Sequence, residues 1–262
     1  SRRWGAIRPG WGWFVERFGE RPALRKADVV ACVTEEVAAE VVRLGADPGK
    51  VVVTPTAVDV VRFNRDVSGA GVRERHGLSD LPVIGWVGTF HSFHGLDLLL
   101  DAFVGLKQDH PSAHLLLVGE GQDKPRVTER VKALGLDSVV FTGAVPHADV
   151  PSYIGAMDVC VIVDPGSAGF HYSPLKLKEY LACGRAVVVP RSGQMERELS
   201  DGVNVLMVPP GDAKSLELAL RRLLDDPRLR ERLGRAGATH ITSTGTWTHQ
   251  VQRVEEKLAA HG

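Results

Sequence analysis

The sequence predicts an α/β fold whose main body is a doubly wound parallel sheet, covered by helices on both faces. Three observations predict it. From Pro82 onward, short apolar, β-branched runs alternate with amphipathic stretches of helical period. Gly-containing turns separate them, and apolar strands that alternate with helices belong to parallel sheets buried on both sides. The chain is also large enough, at 262 residues and 44% hydrophobic, to bury a core without disulfide or metal staples.

The first 20 residues mix Trp4, Trp11, Trp13, Phe14 and Phe18 with Arg2, Arg3, Arg8 and Arg17. Such a stretch suits peripheral contact with a membrane surface or an acceptor. It suits better a helix and loop packed on a further domain, because that accounts for apolar groups without a partner in the chain, and this second reading is the expectation. Asp28–Thr34 reads as a strand, and Thr34 caps a helix over Glu35–Leu44 with two acids in its first turn and Gly45 at its end. Val51–Thr54 reads as another strand, and Pro55–Ser68 with the Gly-rich stretch through Gly71 as a linker. Residues 1–70 are therefore expected to hold part of one domain plus a linker, and residues 71–262 the Rossmann-like domain.

In that domain strands are predicted at Val83–Val87, His114–Val118, Val139–Phe141, Val159–Val163, Ala186–Val189 and Val203–Val208. Helices are predicted at Leu96–Lys107, Lys124–Leu134, Ala148–Ala156, Pro174–Cys183, Gln194–Leu199 and Lys214–Asp225. Two more close the chain, Pro227–His240 and Thr246–Ala260; Asp226-Pro227 is a cap followed by proline in the first turn.

Composition narrows the function classes. Charges cancel, 32 Lys and Arg against 32 Asp and Glu, so a nucleic-acid partner is not expected. The apolar share is too high for disorder, and no apolar run nears the roughly 20 residues of a membrane span. Ser1-Arg2-Arg3-Trp4 lacks a signal-peptide core. Cys32, Cys160 and Cys183 lie far apart in apolar surroundings, with no C-x-x-C pair. They read as small core residues of a protein in the reducing cytoplasm.

The chemistry centres on Asp164–Gly184, DPGSAGFHYSPLKLKEYLACG. Ser173 suits the cap of the following helix, Pro174 its first turn and Gly184 its end. A helix N-terminus is thereby set at the carboxyl end of a parallel strand, where backbone N–H groups favour phosphate. Lys176 adds a cation one turn in. Glu179, one turn further, is placed to accept from a ribose diol, although a surface Lys–Glu pair at this spacing accounts for the two residues equally well.

In Gly85–Gly95, GWVGTFHSFHG, Gly88 would let the backbone approach a phosphate, and His91 and His94 could each donate to it when suitably oriented or protonated. Two solvated loop histidines are the plainer alternative, and no third ligand supports a metal. Leu115–Gly121, LLLVGEG, invites a dinucleotide reading, but Lys124 stands at the third glycine position and no acid ends the next strand, Val139–Phe141.

Taken in order, these segments resemble the C-terminal half of a retaining glycosyltransferase of the GT-B fold, family 4 type, over about residues 24–260. The carrying stretches are ADVVACVTEEVAAEVVRLGADPGKVVVTPTAVDVVRF, VGTFHSFHGLDLLLDAF, LLLVGEG, VVFTGAVPHADVPSYIGAMDVCVIV, SPLKLKEYLACGRAVVV and NVLMVPPGDAKSLELAL. The resemblance implies a nucleotide-diphosphate sugar of UDP or GDP type as substrate, with no separate cofactor and no metal. It implies that Glu179 binds the ribose, that the backbones of Leu175 and Lys176 touch the diphosphate, and that Gly143 to Val145 lie beside the base. His171 falls where the family holds the donor sugar with Glu, and Thr89 and His94 fall where it places Arg and Lys on the diphosphate.

The resemblance further implies sugar transfer to an acceptor sugar or small molecule. It places the acceptor domain almost wholly outside these residues, upstream or on a separate subunit. No catalytic residue is therefore assigned, and the chain alone is expected to bind nucleotide weakly and not to transfer sugar. A non-catalytic nucleotide-sugar-binding or assembly subunit of a split transferase is the alternative reading.

Overall fold

The structure is a computed structural model that describes residues 12–166 and 174–260. It divides into two compact units. The smaller is described over 12–56 and 247–260, the larger over 57–166 and 174–246.

The smaller unit opens with helix α1 (Gly12–Val15), a π-helical stretch over Glu16–Glu20 and helix α2 (Arg21–Lys26). Trp13, Phe14 and Phe18 are exposed, and their rings pack on one another. Strand β1 (Val30–Cys32), helix α3 (Glu35–Leu44) and strand β2 (Val51–Val53) form a βαβ crossover, the two strands pairing in parallel with Val30 opposite Val51. Thr34 caps α3 as its sequence suggests: its hydroxyl accepts from the Val37 amide at 3.3 Å. Gly45 ends the helix in the left-handed region, φ 111°, which costs other residues far more.

The larger unit runs α4 (Ala70–Arg75), β3 (Val83–Val87), α5 (Leu96–Leu106), β4 (His114–Val118), α6 (Lys124–Ala133) and β5 (Val139–Phe141). It continues with α7 (Val150–Gly155), β6 (Val159–Val161), α8 (Leu175–Ala182), β7 (Ala186–Pro190) and α9 (Gly193–Glu198). β8 (Leu206–Val208), α10 (Ala213–Asp225) and α11 (Pro227–Thr244) complete it. The last helix, α12 (Trp247–Ala259), belongs to the smaller unit, where the Arg253 guanidinium donates to the Val53 carbonyl at 3.3 Å.

All six strands of the larger unit are parallel, in the order β5-β4-β3-β6-β7-β8. The chain winds outward from β3 in one direction, then returns to β6 and winds in the other. β3 and β6 therefore flank the point where strand order reverses, the place where such sheets open a crevice at their carboxyl ends. Alternate strand residues feed two separate cores. Leu115, Leu117, Val159, Val161 and Val188 pack with α5, α6 and α10, whereas Leu116, Val118, Cys160, Val187 and Val189 pack with α7, α8 and Ile241 of α11. Each fully buried Leu or Val contributes about 1.5–3 kcal/mol relative to exposure, which is why these runs tolerate no polar face.

Several boundaries and one segment differ from expectation. β6 and β8 are shorter than the apolar runs that announce them, because pairing stops where the backbone turns into loops. Residues 57–75 have structure of their own: Val58 bridges Thr246, Asp59 makes a turn by accepting from the Val61 and Arg62 amides, and α4 follows. Pro174 is the residue before α8 rather than within its first turn, and no side chain caps that helix. Ser173 lies outside the described residues. All three cysteines are buried free thiols. Among the described residues no helix is long and apolar enough to cross a membrane.

Candidate functional site

Helix α8 is set against the end of β3 by Tyr180, whose fully buried hydroxyl accepts from the Val87 amide at 2.7 Å. That bond fixes the helix face carrying Lys176 and Glu179 over the crevice between β3 and β6. The far end of α8 closes as its sequence suggests, with Gly184 at φ 66°.

Lys176 is half-buried, but its Nζ lies 4.2 Å from the centroid of the Trp86 ring on β3. A cation over an indole face is held by the ring quadrupole. Gly88 leaves room for it: a Cβ there would sit 2.7 Å from Nζ. Burial lowers the Lys176 pKa from the usual lysine range to about 7, against a smaller opposing effect of Glu179.

His94 is buried against Trp86, ring centroids 5.5 Å apart. Burial, then the Lys176 and His91 charges, push its pKa down to about 4. His94 is therefore neutral, because a second charge beside a desolvated ammonium is disfavoured, and the neutral ring keeps one N–H to donate when suitably oriented. Thr89 is exposed next to Gly88.

Glu179 is buried, which raises its pKa; His147 and then Lys176 act in the opposite direction. His147 Nε2 lies 3.5 Å from Glu179 Oε1, and Nδ1 lies 2.9 Å from Arg62 Nη1. The Phe63 ring stands 5.7 Å from the imidazole.

Gly143 follows β5 at φ 75°, and its carbonyl accepts from the Gly119 amide at 3.0 Å and the Thr142 hydroxyl at 2.8 Å. Val145 is half-buried against the core, and Leu175, 44% exposed, heads α8. His171 lies outside the described residues.

Gly88, His94 and Glu179 thus lie around Lys176, whereas Gly143 and Val145 follow β5, two strands away from β3. The LLLVGEG glycines have a packing reason: a Cβ on Gly119 would sit 2.0 Å from the Gly88 carbonyl oxygen, and one on Gly121 2.4 Å from that of Phe90. Asp164 is buried and ties down its own loop, accepting from the Gly166 amide at 2.8 Å and the Ser192 hydroxyl at 3.4 Å. Trp86, His147 and Arg62 are the side chains that sequence reading missed. Trp86 sits in a strand where any large apolar residue is expected, and 85 residues separate Arg62 from His147. Among the described residues no three His, Cys, Asp or Glu side chains form a metal-holding group.

Two family models match the chain: "Glycosyl transferases group 1" over residues 81–226 and "Glycosyltransferase Family 4" over residues 2–62. Alpha-D-kanosaminyltransferase of Streptomyces kanamyceticus is 27% identical over 86% of this chain and 58% of its own length. The 2-deoxystreptamine N-acetyl-D-glucosaminyltransferase of Streptomyces fradiae is 34% identical over 76% of this chain and 48% of its own. The chain thus spans about half the length of these curated relatives. The crystal structure of Anabaena HepE in complex with UDP and glucose superposes with a TM-score of 0.80 at 19% identity, covering 95% of this chain and 67% of that one, a likeness of fold. With one family model matched across the six-stranded unit and a second across the segment before it, the chain belongs to the group 1 glycosyltransferases, of GT-B fold.

Proposed function

We propose that the larger unit binds a nucleotide-diphosphate sugar in the crevice at the carboxyl ends of β3 and β6, and that the protein transfers the sugar to an acceptor hydroxyl with retention. The observation that carries this reading is the placement of Lys176 at the head of α8, over Trp86 and beside Gly88, with Glu179 one turn further. The diphosphate takes the Lys176 end, where the ammonium and the leading amides of α8 oppose its charge. The ribose takes the Glu179 end, and the base lies along Gly143 to Val145. On transfer, the bond from the anomeric carbon to the diphosphate oxygen breaks and a bond to the acceptor oxygen forms on the same face of the sugar. Preorganised donors stabilise the departing diphosphate. The UDP and glucose bound by the Anabaena neighbour support this donor class.

Binding tests the reading directly. Titration calorimetry with UDP, GDP and ADP should show saturable binding of at least one of them, and binding of none would overturn it. Glu179→Ala should weaken that nucleotide by about 1–3 kcal/mol. EDTA should leave the affinity unchanged, because neither a D-x-D motif nor a three-ligand group among the described residues offers a metal a place.

A further inference from the structure

Arg62, His147 and Glu179 form a chain that ends at the proposed ribose carboxylate. A guanidinium has donors and no acceptor. The 2.9 Å contact from Arg62 Nη1 therefore requires a bare Nδ1 on His147, which leaves the proton of a neutral imidazole on Nε2. That nitrogen faces Glu179 Oε1 at 3.5 Å. Arg62 is itself held. Asp59 Oδ1 accepts from its backbone amide at 3.3 Å and from that of Val61 at 3.0 Å, and neighbouring Phe63 is buried in the core with its ring against the imidazole. The segment the sequence reads as linker thus holds a ring on the surface, and the ring contacts a carboxylate inside.

The choice of histidine has a consequence. An arginine or lysine at this place would bring a full positive charge, and arginine would engage both carboxylate oxygens in a fork. A neutral imidazole offers one N–H to one oxygen. It holds the rotamer of Glu179 and leaves the second oxygen for a hydroxyl.

We propose that His147, oriented by Arg62, is a positioning residue that fixes the Glu179 carboxylate for a ribose hydroxyl and so sets a preference for ribo- over 2′-deoxyribonucleotides. This rests on the reading of Glu179 as the ribose-binding residue. The test compares UDP with dUDP, and GDP with dGDP, by calorimetry on the full chain and its variants. His147→Ala should weaken the ribonucleotide by roughly 5- to 20-fold, the scale of one lost charge-assisted hydrogen bond, and leave the deoxynucleotide nearly unchanged. His147→Gln, which keeps one acceptor for Arg62 and one donor for Glu179, should restore most of the preference. Arg62→Ala should lower it in part. His147 is 61% exposed at its side chain, so these variants are expected to melt like the parent. An equal loss for both sugars, or an unchanged preference in His147→Ala, would overturn the proposal. Glu179→Ala separates the two claims. If it abolishes the preference while His147→Ala does not, only the positioning role fails; if it leaves the preference intact, the ribose assignment fails and the proposal with it.

Discussion

Lys176 has two demands on it, and they oppose each other. Burial disfavours its charge, whereas the proposed diphosphate requires it, and the proton it carries depends on pH near neutrality. Its pKa of about 7 places the charged form below that pH and the neutral form above it. Affinity for an intact nucleotide sugar, whose phosphates do not titrate in this range, should be flat below pH about 7. It should fall with rising pH above that point, by up to about tenfold per unit. Of the neighbours, Trp86 does not ionise, His94 is already neutral, and Glu179 acts to keep the ammonium charged. Calorimetry across the pH range checks this, and Lys176→Met should abolish the slope along with much of the affinity. The cysteines follow the same physics in the other direction. Burial raises the thiol of Cys160 and moves that of Cys183 up to about 12, so thiol reagents should label the native chain slowly and the unfolded chain fully.

The elements around the site are held by contacts that a local pattern does not display. Lys178, on the face of α8 opposite the crevice, is almost completely buried and pairs with Glu198 at the end of α9. Removing Glu198 alone should cost about 3–5 kcal/mol in denaturant melts, because it leaves a desolvated ammonium; replacing both partners with apolar residues should recover most of that loss. The β4–α6 turn shows the same dependence on neighbours. Gly119→Ala would drive a Cβ into the Gly88 carbonyl, where neither backbone can yield cheaply. It should destabilise the fold by about 1–3 kcal/mol and weaken nucleotide binding as well, by shifting Gly88 beneath Lys176. What reads as a fragment of a dinucleotide motif is the space two loops need to pass each other.

At the scale of the whole molecule, the larger unit carries every residue of the proposed donor site that the structure describes. It also has two cores of its own, one on each face of the sheet. A chain of residues 57–246 should therefore fold cooperatively and retain nucleotide affinity within about threefold of the 262-residue chain, since the rest makes no part of the argued site. A thermal melt without a single transition, or loss of binding in a folded fragment, would refute this.

Much of this was legible in the residues themselves. Alternating strand and helix periods follow from local hydrophobic pattern, and so do the caps at Thr34 and Asp226, whose side chains accept from Val37 and Leu229. Lys176 and Glu179 were readable because a helix start after a strand has a fixed meaning in a parallel sheet. Trp86, His147 and Arg62 were not, because nothing in a single strand or turn says which distant side chain it will meet. Strand order was not legible either: pairing of β3 with β6, rather than with β5, depends on which crossover packs back on which face, and every strand is apolar enough to serve in any central position. Local chemistry determined what the pieces are. Only the tertiary structure decided where winding reverses, and so which distant indole and imidazole meet the cation and the carboxylate that α8 carries together.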